Sequence, residues 1–271
     1  MIKTSASITV QYDNPFAPFS GADWKNAVDW VKSSGFDAAE LIISDPNLLD
    51  AEEIGRYIEG KNLCISTIST GQCAGLEGLS MTSPSQYIRE LTFKRICDDI
   101  DFSARLNKPN VTIGLIRGKG GALPYDLEYN MLKIELSRAC DYATKKGVIL
   151  NFEPINMFET KLVNSTLEGV KLLNDIGNPE CCGLLYDTFH SNIEDHDILG
   201  VLEECFDKIS HIHYSDSNRR LPGEGNYDYA SLAKLLKRRG YDSYVSLEVF
   251  NKPSAQHIID FAAKRLADAL K

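Results

Sequence analysis

The sequence has little that would serve a secreted, membrane-spanning or nucleic-acid-binding protein. No apolar run approaches the ~20 residues that a membrane span needs, and no basic, apolar leader precedes Ser5. The seven cysteines (Cys64, Cys73, Cys97, Cys140, Cys181, Cys182 and Cys205) contain no Cys-x-x-Cys pair. Most sit in apolar surroundings, where cysteine acts as a small hydrophobe, so a reducing cytoplasm is expected. Basic charge is also short: 29 Lys and Arg stand against 38 Asp and Glu, a formal net charge of -9. Attraction to a phosphate backbone is therefore not built into the overall field, and neither nucleic acid nor membrane is expected as a partner. Linkers rich in Pro, Ser or charge are missing as well.

What is present is an ordinary globular composition, 43% hydrophobic and 25% charged over 271 residues. Short β-rich runs alternate with helical patterns along the whole chain. Strands are predicted at 5–10, 37–43, 63–69, 110–115, 148–153, 182–188, 211–215 and 244–249. Helical periodicity fills the intervals, for example at 50–62, 86–107, 165–177, 228–240 and 254–270. Residues 70–85 and the Gly-rich IRGKGGALP segment read as loops. Eight strands, apolar on both faces and alternating with eight helices, imply a parallel sheet covered by helices. At this length the pattern predicts a single (β/α)8 TIM barrel over residues 1–271. An open dinucleotide-binding sheet would want a glycine fingerprint after the first strand, where YDNPFAPFSG stands instead.

In such a barrel the active site is built at the C-terminal ends of several strands. Glu153, Asp187, His213 and Glu248 fall at or near the ends of strands five to eight, at successive spacings of 34, 26 and 35 residues. Each alone has a bland explanation as a solvated loop residue or an ion-pair partner. Together, in consecutive units, they offer three oxygen donors and one nitrogen to a single point. That donor set suits a hard-to-borderline divalent cation, Mn2+ before Mg2+ or Co2+, with Zn2+ also possible. Glu153 and Glu248, flanked by apolar residues, need a cation or a hydrogen-bond network if buried. His211 reads as a core or supporting histidine, because His213 lies nearer the loop.

The motifs FEPINMFET (152–160), YDTFHSNIED (186–195), HIHYSDSNRRLPGEG (211–225) and SLEVF (246–250) resemble those of xylose-isomerase-like barrels, specifically the ketose 3-epimerases of the D-tagatose and D-psicose type. STGQ (69–72), GLSMTSPS (78–85) and GLIRGK (114–119) are similar to a branch that includes an epimerase of 5-keto-gluconate-type acids. The resemblance implies that Glu153, Asp187, His213 and Glu248 hold the metal and that Glu153 and Glu248 are the acid/base pair. It further implies that Glu159, His190 and Arg219 bind substrate. Met157 stands where such relatives often carry arginine, a change in the expected wall of the site. Self-association as a dimer or tetramer is also implied.

The chemistry asks for these residue types. Removing a proton beside a carbonyl leaves an enediolate, whose charge a divalent ion stabilises, with His190 and Arg219 as further donors. Inversion needs a base on one face of the carbon and an acid on the other, which two glutamates supply. The expected activity is metal-dependent inversion at C3 of a free ketose or keto-sugar acid. The rivals are an aldose-ketose isomerase of the hydroxypyruvate type, an abasic-site endonuclease-like metalloprotein and a non-catalytic sugar-binding barrel. The bland alternatives for the substrate residues are a solvated Arg219, a His190 that caps local backbone and a Glu159 that pairs with Lys161 or Lys171.

Overall fold

In the computed structural model, which describes residues 2–271, eight parallel strands close into a barrel in sequence order. They are β1 (Lys3–Thr9), β2 (Ala38–Ile42), β3 (Cys64–Ser69), β4 (Asn110–Ile113), β5 (Leu150–Phe152), β6 (Cys182–Asp187), β7 (Ile209–Tyr214) and β8 (Tyr244–Leu247). Closure is made by β1 against β8, in register from Lys3 opposite Tyr244 to Ala6 opposite Leu247. The outer layer comprises α1 (Trp24–Ser33), α2 (Ala51–Gly60), α3 (Gly71–Glu77), α4 (Gln86–Ala104), α5 (Tyr125–Lys146), α6 (Thr166–Asp175), α7 (Thr188–Glu194), α8 (Ile198–Cys205), α9 (Tyr229–Arg238) and α10 (Ala255–Ala269). Among the described residues, no helix is long and apolar enough to cross a membrane.

Local signals set the helix ends. Asp50 accepts hydrogen bonds from the backbone N–H groups of Glu52 and Glu53 at the start of α2, and Ser165 with Glu168 forms a capping box on α6. Helix α5 stops at Gly147, whose φ of 66° needs no Cβ to be accommodated. Two helices exceed the expected eight. α3 forms inside the stretch read as a loop at 70–85, and α7 follows β6 directly, capped by the Asp187 side chain.

A second difference concerns the strand faces. Alternate residues such as Ile8, Leu41, Val111, Phe152, Ile212 and Val245 join the apolar layer beneath the helices. The opposite face, turned into the barrel, is largely polar rather than apolar. There Ser5 Oγ lies 2.7 Å from Ser66 Oγ, Thr67 Oγ1 lies 3.1 Å from Thr112 Oγ1, and Asn110 Nδ2 donates to Asn151 Oδ1 at 3.0 Å. Parallel strands need both faces covered, and side-chain hydrogen bonds between interior-facing residues satisfy that need as well as hydrocarbon does.

Candidate active site

Glu153 directly follows β5, and its backbone N–H donates to Ile113 O, continuing the strand ladder by one residue. Asp187 ends β6, His213 lies in β7 and Glu248 follows β8. Neighbouring strands therefore aim these four side chains at one place. A carboxylate oxygen from each acid and one ring nitrogen of His213 lie within 4.8 Å of one another. His213 Nδ1 is 3.3 Å from Glu248, 3.6 Å from Asp187 and 3.8 Å from Glu153.

Two atoms in this group, His213 Nδ1 and Glu153 Oε1, are buried without a hydrogen-bond partner. Enclosed polar atoms without partners are rare because each carries a desolvation cost. A divalent cation between them would satisfy both at once, and three carboxylates with one imidazole are a donor set it accepts. Electrostatics fits the same reading. Burial, reinforced by Glu248, pushes the Glu153 carboxyl well above the usual range. For Asp187 burial pulls the same way, but the Arg219 guanidinium and then His190 overcome it and hold the carboxyl well below that range.

Arg219 sits in the loop between β7 and α9 at φ 61°. Its Nη1 donates to Asp187 Oδ2 at 2.6 Å, while Nη2 donates to Glu248 Oε2. The guanidinium is clamped between the rings of Phe16 and Phe189, 5.0 and 4.8 Å from their centroids. Asp216 shapes the loop by accepting from the N–H groups of Ser217, Gly223 and Tyr227. A Cβ on Gly225 would come within 2.3 Å of Asp216 Oδ1, so that glycine serves close approach. Arg219 is thus buried in the site rather than solvated.

His190 lies in α7 with Nε2 facing Glu153 and Asp187 at 3.8 and 4.0 Å. Burial lowers its pKa to about 3 against the opposing pull of Asp187, so the ring is neutral at ordinary pH. Asn156, which sequence reading passed over, fixes the tautomer. Its Nδ2 donates to His190 Nδ1 at 2.7 Å and to Glu159 Oε1 at 2.9 Å, which leaves the His190 proton on Nε2, pointing into the site. Glu159 lines the chamber, and Lys171 pairs instead with Asp175 at 2.6 Å. Met157 is 61% exposed and does not line the chamber, so the substitution expected in its wall falls outside it.

Two more charged groups were not singled out from sequence. Glu40 of β2 is fully buried, with Oε1 at 3.0 Å from His213 Nε2 and Oε2 at 3.2 Å from His211 Nε2. A carboxylate accepting from Nε2–H keeps the ring proton on Nε2 and leaves the lone pair on Nδ1 for a cation. His211 is accordingly the supporting histidine that the sequence suggests. Arg117, in the segment expected to be a loop, is fully buried; it stacks on Phe152 and donates to Glu153 O at 2.6 Å. Burial lowers its pKa to about 9 despite the nearby Glu153 carboxylate.

Comparison with known proteins adds a lineage to this geometry. The family described as "Xylose isomerase-like TIM barrel" matches residues 28–269. The chain belongs to that family. Among curated members of similar sequence is "L-ribulose 3-epimerase" of Methylomonas sp. (strain DH-1), 26% identical over 86% of this chain and 80% of that protein. Another is "3-dehydro-D-guloside 4-epimerase" of Escherichia coli (strain K12), 24% identical over 81% of this chain and 84% of that protein. A solved L-ribulose 3-epimerase superposes with a TM-score of 0.85 at 22% identity, covering 100% of this chain and 95% of that one. The xylose isomerase-like barrel expected from the motifs is thus the fold observed.

Proposed function

We propose that this xylose isomerase-like barrel is a divalent-metal-dependent ketose 3-epimerase, inverting C3 of a ketose or keto-sugar acid through an enediolate. The observation that carries the reading is the convergence of Glu153, Asp187, His213 and Glu248 on one point, with two atoms there left unpaired. Relatives named as ketose 3-epimerases support it.

Glu153, Asp187, His213 and Glu248 are the residues that would hold the ion, with Mn2+ first and Mg2+, Co2+ or Zn2+ as alternatives. Bound there, a divalent ion supplies Lewis-acid stabilisation of the negative charge that develops on the sugar oxygens. The remaining steps belong to the chain. One of Glu153 and Glu248 removes the C3 proton and the other returns one to the opposite face, the roles exchanging with the direction of reaction. His190, protonated at Nε2, donates to the oxygen that gains charge, and Arg219 steadies Asp187 and Glu248 while presenting its guanidinium to the same oxygens. Glu159 binds a substrate hydroxyl.

All seven cysteines are free, which supports a reducing, cytoplasmic setting. Met157 and Phe158 expose apolar side chains beside the site, 61% and 80% accessible, which supports self-association as a dimer or tetramer.

The test is proton exchange in deuterated water with the Mn2+-loaded protein and a panel of ketoses and keto-sugar acids. Deuterium should enter at C3. Exchange at C1 or C2 instead would reassign the protein as an aldose-ketose isomerase, and no exchange with any member would overturn the reading.

A further inference from the structure

The catalytic chamber is small. Bounded by Glu153, Glu159, His190, Arg219, Glu248 and Phe16, it encloses about 180 Å3. Pockets for larger ligands run to ~300–1,000 Å3, so the chamber suits one small sugar. Asn14, Gly71, Gln72 and Leu115 form a shared wall with a second cavity of about 550 Å3, bounded by α3 and the loop after β4.

Small residues line the annex: Gly71, Ala74 and Gly75 from α3, and Gly118, Gly120 and Ala122 from the facing loop. At Gly75 an added Cβ would meet nothing within 4 Å. Its charged lining is not cationic: one lysine, Lys119, stands against two acids, Asp13 and Glu128, whose carboxylates accept from backbone N–H groups, Asp13 from Gly21 and Glu128 from Gly121, Ala122 and Leu123. A phosphate or carboxylate would want an excess of cationic donors, which this lining does not offer. Gln72, Ser80 and Ser83 give it hydroxyl-compatible polarity instead. At the junction the Gln72 carboxamide donates through Nε2 to Tyr12 O and Asp13 O, and its Oε1 is left without a partner.

We propose that the annex seats a neutral glycosyl substituent, so that the enzyme accepts ketoses carrying a second sugar on the end remote from the carbonyl. This inference rests on the epimerase reading for the chamber but concerns a separate space.

The probe is isomaltulose, D-fructose bearing a glucosyl group on O6, compared with D-fructose itself. C3 deuterium exchange and calorimetric binding are measured for the Mn2+-loaded wild type and for Gly75→Trp. Gly75 lines the annex and not the chamber, and as an exposed position where an added Cβ meets nothing within 4 Å it tolerates an indole, which narrows the annex from its outer side. The wild type should exchange isomaltulose at least as efficiently as fructose. Gly75→Trp should lose at least about tenfold on isomaltulose, the scale for a displaced pocket contact, and keep its rate on fructose.

Exchange of fructose without exchange or binding of isomaltulose by the wild type would overturn the annex and leave the epimerase reading standing. A Gly75→Trp protein with wild-type melting behaviour and undiminished isomaltulose turnover would overturn it too. Binding of isomaltulose that Gly75→Trp abolishes, with no exchange of either sugar, would support the annex and count against fructose as the sugar of the chamber.

Discussion

Glu40 and His213 meet inside the barrel across a sequence separation of 173 residues, Oε1 to Nε2 at 3.0 Å, with both side chains fully buried. The pairing fixes which face of the imidazole is available, because a carboxylate at Nε2 leaves Nδ1 toward Glu153, Asp187 and Glu248. A charge this deep is retained only where a partner compensates for its desolvation.

Replacing Glu40 should therefore act on metal affinity before it acts on anything else. Glu40→Ala is expected to weaken Mn2+ binding by about 10–100-fold, the usual effect of removing a carboxylate behind a liganding histidine. Calorimetric titration with Mn2+, alongside a circular dichroism check that the barrel is folded, measures it. Unchanged affinity would remove Glu40 from any role beyond packing.

The two glutamates are expected to fail in the same way. Glu153→Gln and Glu248→Gln each keep an oxygen donor but lose the capacity to carry a proton. C3 exchange should drop by about 10²–10⁴-fold in either variant, the range for a lost acid or base. A variant that still exchanges at the wild-type rate would show that its glutamate holds the ion without moving protons.

Chelation provides an independent check on the donor set. Protein stripped of divalent ions should lose exchange and recover it with Mn2+ or Co2+. It should also melt lower, because an ion at 100 times its Kd adds about 2.7 kcal/mol to the folded state. Equal melting temperatures with and without Mn2+ would argue against a site at this position.

Away from the site, Asp99 in α4 is fully buried, and neither carboxylate oxygen has a hydrogen-bond partner. Burial drives its pKa well above the usual range, against the pull of Arg95. The folded state then keeps a proton that the unfolded chain sheds above pH ~3.9. Wild-type stability is thus eroded as pH rises from there toward the raised native pKa. Asp99→Asn carries no such proton, so its melting temperature should gain on that of the wild type across thermal scans from pH 4 to 8. Parallel curves would mean that Asp99 is ionised and partnered in the native protein.

The four converging residues were legible because their spacing is one strand plus one helix, and β-α units placed side by side bring their strand ends together. Arg219 and His190 were legible only as a resemblance, since a loop arginine and a helical histidine have ordinary solvated alternatives. Glu40, Asn156 and Arg117 were not legible as site residues. Glu40 reads as one acid in a strand, and nothing local marks partners 171 and 173 residues away. Arg117 lies in a Gly-rich run whose composition suggests exposure, yet its guanidinium donates to the backbone of Glu153.

By itself, the sequence determined the order and type of the strands, and hence the barrel, because periodicity and punctuation are local and each β-α unit must cover its own sheet face. It also determined which residues stand at the strand ends. Tertiary structure alone decided what those ends look at: the Glu40 clamp behind His213, the Asn156 bridge that sets His190, and the space beside α3. Those depend on closing β1 against β8 and on side chains meeting across the interior, and such distances are properties of the closed barrel rather than of any segment in it.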